Sequence, residues 1–364
     1  MSSVTTTTKH VHFTNTPKSA QSISTTSNLL LGTPSTTKRL SGSCQQVIEE
    51  DYTETRARII VRSCLADSQL YPVISGHKCN KVTLVPSSLW ADMALTVGAY
   101  VWNTLRPHTD VPGLNVCDMD VPKSLIAQVP QTQPGQFVEI EAEAELEGEL
   151  GVMRCKFRSV YPDGSKIQDH ATCLLRYESR EDWKQDWSRF GHMVKNSIKA
   201  LQEKAMTSGA HRMQSGLAYK VFESFVTYSD KYRGMNEVVF DGLEGTSSVE
   251  FKTGPEDLCG PYHLDNSCHL SGFLCNASDM GAEDNVYISE GWQGFKCLNP
   301  EMLTSSPQSK LTNYVLMQPK PKSILRGDVY ILKDDEVVAV WEGIAFKRLP
   351  RRVINILLPP PKKI

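Results

Sequence analysis

The chain is 364 residues long, beyond the roughly 250 to 300 at which one hydrophobic core stops growing, so two cores or one duplicated core are expected. At 40% hydrophobic and 22% charged residues it has the composition of an ordinary globular protein, and no run approaches the roughly 18 uncharged apolar residues of a membrane span. Lys and Arg number 39 against 41 Asp and Glu, a formal charge of −2, so no overall basic field exists to hold a nucleic-acid backbone; neither nucleic acid nor membrane is an expected partner.

Residues 1–45 are dominated by Ser and Thr and carry few large apolar side chains, a composition that does not offset its own ordering entropy. They read as a linker, either ahead of a domain excised from a larger chain or as a native tail. The opening MSSVTTTTKH lacks the apolar core of a secretory signal, and the ten cysteines form no Cys-x-x-Cys pair, so reduced thiols and a cytoplasmic location are expected.

A first lobe is expected over 46–178. After Pro86, Leu89, Met93, Val97, Val101 and Leu105 recur at i+4 steps beside Trp90, Ala94, Trp102 and Gly98, which predicts a helix apolar around most of its circumference. Such a helix must be enclosed. The next segments supply strands: Val138, Ile140, Ala142, Ala144 and Leu146 alternate with Glu139, Glu141, Glu143, Glu145 and Glu147, the pattern of a half-buried antiparallel strand. GVMRCKFRSVY follows, then a turn at Pro162-Asp163-Gly164 and the strand KIQDHATCLLRY.

Residues 179–215 are charged and helix-prone and predict an exposed connector. The second lobe, 216–364, repeats the order of the first. A helical apolar stretch at 264–279 precedes NVYISEGWQGFKCL, KLTNYVLMQPK and a long hairpin turning at Asp334-Asp335. Helix followed by antiparallel strands, twice, predicts an α+β double hot-dog: two tandem antiparallel sheets, each wrapped around a long buried helix.

His77 lies in a Gly-containing turn ahead of Pro86, a residue tolerated in the first turn of a helix, and so at the mouth of any cavity adjoining the first buried helix. From spacing alone it reads more readily as a turn histidine bonded to backbone. Asp265 and His269 share a helix face at i, i+4, with Asp265 expected in the first turn, where the helix dipole favours its ionised form. They read equally as a helix cap and a satisfied core histidine. Pairing His77 with Asp265 across the lobes gives a carboxylate that stabilises an imidazolium, as a general base near neutral pH requires. Cys259, His263, Cys268 and His269 are the nearest approach to a metal cluster, but adjacent helical residues diverge by about 100° and no metal site is expected.

At these positions the sequence resembles a known family. SGHKCNKVTLVPSSLWADMALTVGAYV and PYHLDNSCHLSGFLCNASD look like the two signatures of product template domains of fungal non-reducing polyketide synthases, and FKRLPRRVINILLPP resembles the end of that domain. The wider relatives are dehydratases of polyketide and fatty acid synthesis, whose His-x-x-x-Gly-x-x-x-x-Pro and Asp-x-x-x-His/Gln motifs fall on His77 to Pro86 and Asp265 to His269. The chain departs from these patterns at Lys81, where dehydratases carry Gly, and at Glu290, where a smaller polar residue is expected.

The resemblance implies His77 as catalytic base and Asp265 as its acidic partner, with Ser88 and His269 lining the site. It implies a linear poly-β-ketone thioester as substrate, cyclised by aldol attack and aromatised by loss of water. No cofactor would bind directly, the substrate riding on the phosphopantetheine arm of an acyl carrier protein. Expected partners are that carrier, the other domains of the same synthase and a second copy of the chain. Trp90, Phe273 and Trp292 are candidate substrate-binding walls, although an enclosed helix buries such residues in any case. Two other functions suit the same residues, a β-hydroxyacyl thioester dehydratase and a non-catalytic chain-binding module. Arg351 and Arg352, beside Lys347 and Arg348 at the end of the last strand, are the favoured carrier-docking charges over Lys195, Lys199 and Lys204.

Overall fold

The structure, a computed structural model, describes residues 38–128, 135–277, 284–304 and 310–359. Its first half runs β1 (Gln46–Tyr52), β2 (Arg56–Cys64), α1 (Leu70–Ser75), β3 (His77–Cys79), β4 (Val82–Thr83), α2 (Ser87–Leu105), β5 (Gly113–Asp120), β6 (Phe137–Glu147), β7 (Leu150–Val160) and β8 (Lys166–Glu178). The helix α3 (Arg180–Met206) leads to β9 (His211–Gln214), α4 (Ser215–Phe222), β10 (Val226–Tyr228), a 3-10 turn at Asp230–Tyr232, β11 (Met235–Asp241), β12 (Glu244–Val249) and α5 (Cys259–Ala277). The chain ends with β13 (Asn285–Trp292), β14 (Gly294–Cys297), α6 (Glu301–Thr304), β15 (Leu311–Leu316), β16 (Gln318–Lys320), β17 (Ile324–Lys333), β18 (Glu336–Pro350) and α7 (Arg351–Leu357). No helix among the described residues is long and apolar enough to cross a membrane.

Each half wraps antiparallel strands around one buried helix, α2 in the first and α5 in the second, which is the double hot-dog expected from the element order. The two wraps are not separate sheets, however. One 15-stranded sheet runs β1-β2-β6-β7-β8-β5-β13-β18-β17-β15-β12-β11-β9, with β14 and β16 alongside β18 and β17. The halves join where Asp120 and Met119 of β5 pair with Gly291 and Trp292 of β13. Edge-to-edge pairing satisfies backbone groups that two isolated sheets would leave open. Gly291 permits the join: its φ is +114°, and a Cβ there would stand 1.8 Å from the Met119 carbonyl oxygen.

β6 shows how patterning becomes structure. Val138, Ile140, Ala142, Ala144 and Leu146 face the core, while Glu139, Glu141 and Glu145 meet arginines of the flanking strands. Arg62 and Arg158 lie 2.8 and 2.9 Å from the two oxygens of Glu139, and Arg58 and Arg158 bracket Glu141 at 2.7 and 3.0 Å. Cross-strand pairing of this kind removes the like-charge repulsion that a bare glutamate row would suffer. On α2, Gly98 lets β8 close in, since a Cβ there would lie 2.7 Å from Leu175.

Two boundaries, and the burial of α3, differ from those expected. α5 begins at Cys259, because Pro261 is tolerated in a first turn; positions 278 and 279 of the expected helix lie outside the described residues. Asp265 is therefore nearly two turns into the helix and draws little from its dipole. α3 is more than a connector: Trp183, Trp187, Val194, Ile198 and Leu201 form a buried stripe against Val239, Leu332 and Val340. Arg351 and Arg352 open α7 instead of closing β18.

The expected linker over 1–45 lies outside the described residues as far as position 37. Its last part is packed: Ser43 and Cys44 are fully buried, and Arg39 pairs with Asp67 at 3.0 Å. The Ser43 hydroxyl donates to Asp92 Oδ2 at 2.5 Å. Asp92 stands against the start of α5, where a Cβ on Gly260 would come within 1.8 Å of its Oδ1. Burial pushes the Asp92 carboxyl up to about 6 from an ordinary 3.8, the Ser43 bond opposing only part of that rise.

A carboxyl that binds its proton more tightly folded than unfolded contributes stability below pH ~4 and loses it as pH rises through about 6. Two pKa units correspond to about 3 kcal/mol. Urea denaturation should accordingly find Asp92→Asn better placed relative to the parent at pH 7 than at pH 4; an equal difference at both values would contradict this account. Ser43→Ala should cost about 1–3 kcal/mol at pH 7 by leaving the buried carboxylate without its hydroxyl donor.

Candidate active site

The site is built on the small sheet β10-β3-β4 and on the faces of α2 and α5 that meet beside it. His77 opens β3 and pairs directly with Tyr228 of β10, so ladder register sets both side chains on one face. The β3–β4 turn is Asn80-Lys81 with φ of 49° and 67°, the two left-handed residues of a tight hairpin. Asn adopts that conformation readily, whereas Lys81 carries the strain that a Gly would avoid. The turn is held from outside: Asn80 Nδ2 donates to Asn355 Oδ1 at 2.9 Å and to the Leu358 carbonyl at 2.8 Å, tying the histidine-bearing hairpin to α7. Apolar packing of Val82, Leu84, Phe225 and Val226 on Ile354 and Leu358 reinforces that tie.

His77 Nδ1 lies 3.3 Å from the Leu84 carbonyl oxygen, an acceptor, so that nitrogen carries the proton and Nε2 keeps its lone pair. Burial lowers the His77 pKa below its ordinary value; the Asp265 carboxylate pulls it upward and His269 adds to the lowering. The imidazole is thus neutral and basic at pH 7.

Asp265 accepts a hydrogen bond from His269 Nε2 at 2.6 Å, the i, i+4 contact that one helix face allows. Burial by itself would raise its pKa. The charges and hydrogen bonds of His269, the charge of His77 and the Ser88 hydroxyl outweigh that effect and hold the carboxyl below its ordinary range. His77 therefore influences Asp265 through space, while the imidazole bonded to the carboxylate is His269. Ser88 Oγ is buried beside Asp265, near enough to favour its charged form although no hydrogen bond of ordinary length joins the two.

Sequence reasoning missed the tyrosines. Tyr219 Oη lies 3.2 Å from His269 Nδ1 and 3.1 Å from the Tyr232 carbonyl, and it accepts from the Met235 N–H at 3.1 Å. Tyr228 packs its ring 4.3 Å from that of His269 and 5.6 Å from that of His77. The SGLAYKVFESFVTY segment shows helix and strand propensity but nothing that distinguishes these rings from core residues. Phe273 joins the same aromatic group through Phe222 at 5.7 Å and Phe240 at 5.4 Å.

Trp90 and Trp292 lie elsewhere. Trp90 packs on Phe157 in the first lobe at 5.1 Å. Trp292 donates to the Val116 carbonyl at 3.0 Å and meets Trp341 edge-on, at the β5–β13 seam. Among the described residues neither makes a ring contact with His77 or His269, because the periodicity that buries a tryptophan does not say against which neighbour. A groove of about 470 Å³ borders Trp292, Asp120, Arg326 and the Glu290–Lys347 ion pair; His77 and Asp265 do not line it.

The histidines and cysteines weighed as metal ligands are occupied otherwise. His263 bonds the Met302 carbonyl at 2.9 Å and Thr253 Oγ1 at 2.6 Å, stacked 3.9 Å from Phe251. Burial lowers its pKa to about 4, so it stays neutral. Among the described residues no three His, Cys, Asp or Glu side chains converge on a point where an ion could sit.

No protein-family model matches the chain. It is 52% identical over 331 residues to a non-reducing polyketide synthase of Zymoseptoria tritici and 44% identical over 325 residues to one of Preussia isomera. These alignments cover 89% and 87% of this chain but only 15% of either synthase, so the chain spans about a seventh of the length of these relatives. Among solved structures, the dehydratase domain from the CurJ module of the curacin polyketide synthase superposes with a TM-score of 0.63 at 12% identity, over 87% of this chain and 99% of that one. The CurK dehydratase gives 0.59 at 13% identity, over 88% of this chain and 100% of that one, in an aspartate-to-asparagine variant described as inactive. A histidine-to-phenylalanine variant of the same domain is also described as inactive and gives 0.58 at 12% identity, over 88% and 99%. As the signatures around His77 and Asp265 implied, the chain is a double hot-dog domain of the kind carried by fungal non-reducing polyketide synthases.

Proposed function

We propose that this domain is a product template: it folds a linear poly-β-ketone thioester, delivered on the phosphopantetheine arm of an acyl carrier protein, and directs its aldol cyclisation and aromatisation. The observation that carries the reading is a neutral His77 whose Nε2 lone pair is unengaged among the described residues, near an ionised Asp265, in a chain homologous to one segment of fungal non-reducing polyketide synthases. The carrier, the other domains of the same synthase and a second copy of the chain are the proposed partners.

A methylene between two carbonyls is already acidic, so the base need only be positioned. His77 Nε2 takes the proton, and the resulting enolate carbon attacks a ketone further along the chain. The alkoxide so formed is protonated, and loss of water then gives the aromatic ring. Asp265 stabilises the His77 imidazolium through space, its own position fixed by His269. A dehydratase acting on a β-hydroxyacyl thioester is the second reading, favoured by the fold of the CurJ and CurK domains and by the inactivity of the CurK histidine and aspartate variants. Offering a β-hydroxyacyl thioester separates the two, since a dehydratase forms the enoyl product and a product template leaves it unchanged.

His77→Ala should abolish the directed aromatic product in a reconstituted synthase, leaving pyrones from spontaneous closure. Aromatic product at near-parental yield would exclude His77 as the base. The rate should be level above neutrality and fall on the acid side, below the ordinary histidine value of about 6.5, where His77 takes up a proton. In Asp265→Asn the carboxylate no longer raises the His77 pKa, so the acid limb should move to lower pH while the plateau rate falls about 10- to 100-fold. An unmoved limb would mean that Asp265 does not act on His77.

A further inference from the structure

We propose that Tyr228 is a further catalytic residue, its hydroxyl donating a hydrogen bond to the carbonyl oxygen that gains charge as His77 removes the neighbouring proton. This inference rests on the reading of His77 as a base toward a ketone substrate.

Three observations carry it. First, Tyr228 and His77 are direct partners in the β10–β3 ladder, so backbone hydrogen bonds fix the phenol beside the base. Second, the ring is clamped: it packs 4.3 Å from His269, edge-on to Phe222 at 5.5 Å and to Tyr219 at 6.1 Å, with Tyr232 at 5.8 Å. A donor fixed this way needs little reorganisation when charge develops. Third, its hydroxyl differs from those of its neighbours. Tyr232 Oη donates to the Val73 carbonyl at 2.9 Å and Tyr219 is engaged with His269 and backbone, whereas the Tyr228 hydroxyl has no hydrogen-bond partner among the described residues. Tyr228 as a residue retains partial exposure to solvent. A protein that satisfies Tyr219 and Tyr232 but leaves the phenol nearest the base unpaired has a donor in reserve.

Burial raises the Tyr228 pKa well above its ordinary value, and the Asp265 charge adds to the rise, so the phenol keeps its proton throughout the working range. The step balances without a change at Tyr228. The C–H electron pair becomes the enolate π bond, the former carbonyl π pair goes to oxygen, the proton goes to His77 Nε2, and the Tyr228 O–H bond stays intact while its hydrogen bond to that oxygen strengthens.

The test is Tyr228→Phe, which retains the ring and its packing. With reconstituted synthase, its kcat for the aromatic product should fall about 100- to 1000-fold, with KM within about twofold and an unchanged Tm. A kcat within about threefold of the parent, while His77→Ala is inactive, overturns the role of Tyr228 and leaves the base assignment standing. An independent measurement needs no turnover: 4-nitrophenolate, an oxyanion whose absorption reports its ionisation, should bind the parent at least about 10-fold more tightly than Tyr228→Phe. Equal binding to the two proteins, or none to the parent at millimolar probe, overturns the proposal whatever the fate of the cyclase reading.

Discussion

The packing of α2 against α5 is the constraint on which the site depends. Two hot-dog lobes could each bury a helix independently, but here the helices touch, with Ser88 beside Asp265 and Asp92 against Gly260. The order of these contacts makes the helices antiparallel where they meet. Gly260 is the position that allows it, because any Cβ would occupy the space of the Asp92 carboxylate. Because the helices meet there, residues from both lobes converge, with α2 bringing Ser88, α5 bringing Asp265 and His269, and the small sheet bringing His77.

Histidine takes opposite roles in this molecule according to what its two nitrogens meet. His263 and His170 have both ring nitrogens engaged by oxygens of the fold, with His170 reaching the Lys123 carbonyl at 3.0 Å and Ser159 at 2.9 Å. Such imidazoles brace loops and are unavailable to a substrate. His269 is likewise engaged on both sides, by Asp265 and Tyr219. Among the described residues, His77 alone of these four has one nitrogen held and the other unengaged. That asymmetry is what supports the proposed role of His77 as a base.

Support for the strand that carries His77 comes from far away in sequence. The β3–β4 turn holds two left-handed residues, and Asn80 spans to Asn355 of α7 and to Leu358 just past its end. Strain in a turn persists where the surroundings over-determine it, and α7 supplies that restraint here. The same hairpin is paired on its other side to β10, so His77 is located by backbone hydrogen bonds and by α7 at once.

Much of this was legible in the residues themselves. Apolar circumference on α2 and strict alternation on β6 follow from the 3.6 and 2.0 periods, which act locally and need no tertiary information. The buried stripe of α3 was equally present in the spacing of Trp183, Trp187, Val194, Ile198 and Leu201, but the density of charge around it concealed the face. The i, i+4 relation of Asp265 and His269 was also local, and it is the hydrogen bond that forms. What only the tertiary structure decided is which groups meet across the lobes: that His77 reaches Asp265 through space without bonding it, that Trp90 and Trp292 turn to the core and the seam, that β5 and β13 fuse two sheets into one, and that Tyr228 stands between two imidazoles. Those partners lie dozens to hundreds of residues apart in the chain. Periodicity fixes the face on which a side chain lies, whereas its neighbour across that face is fixed by packing of the whole chain.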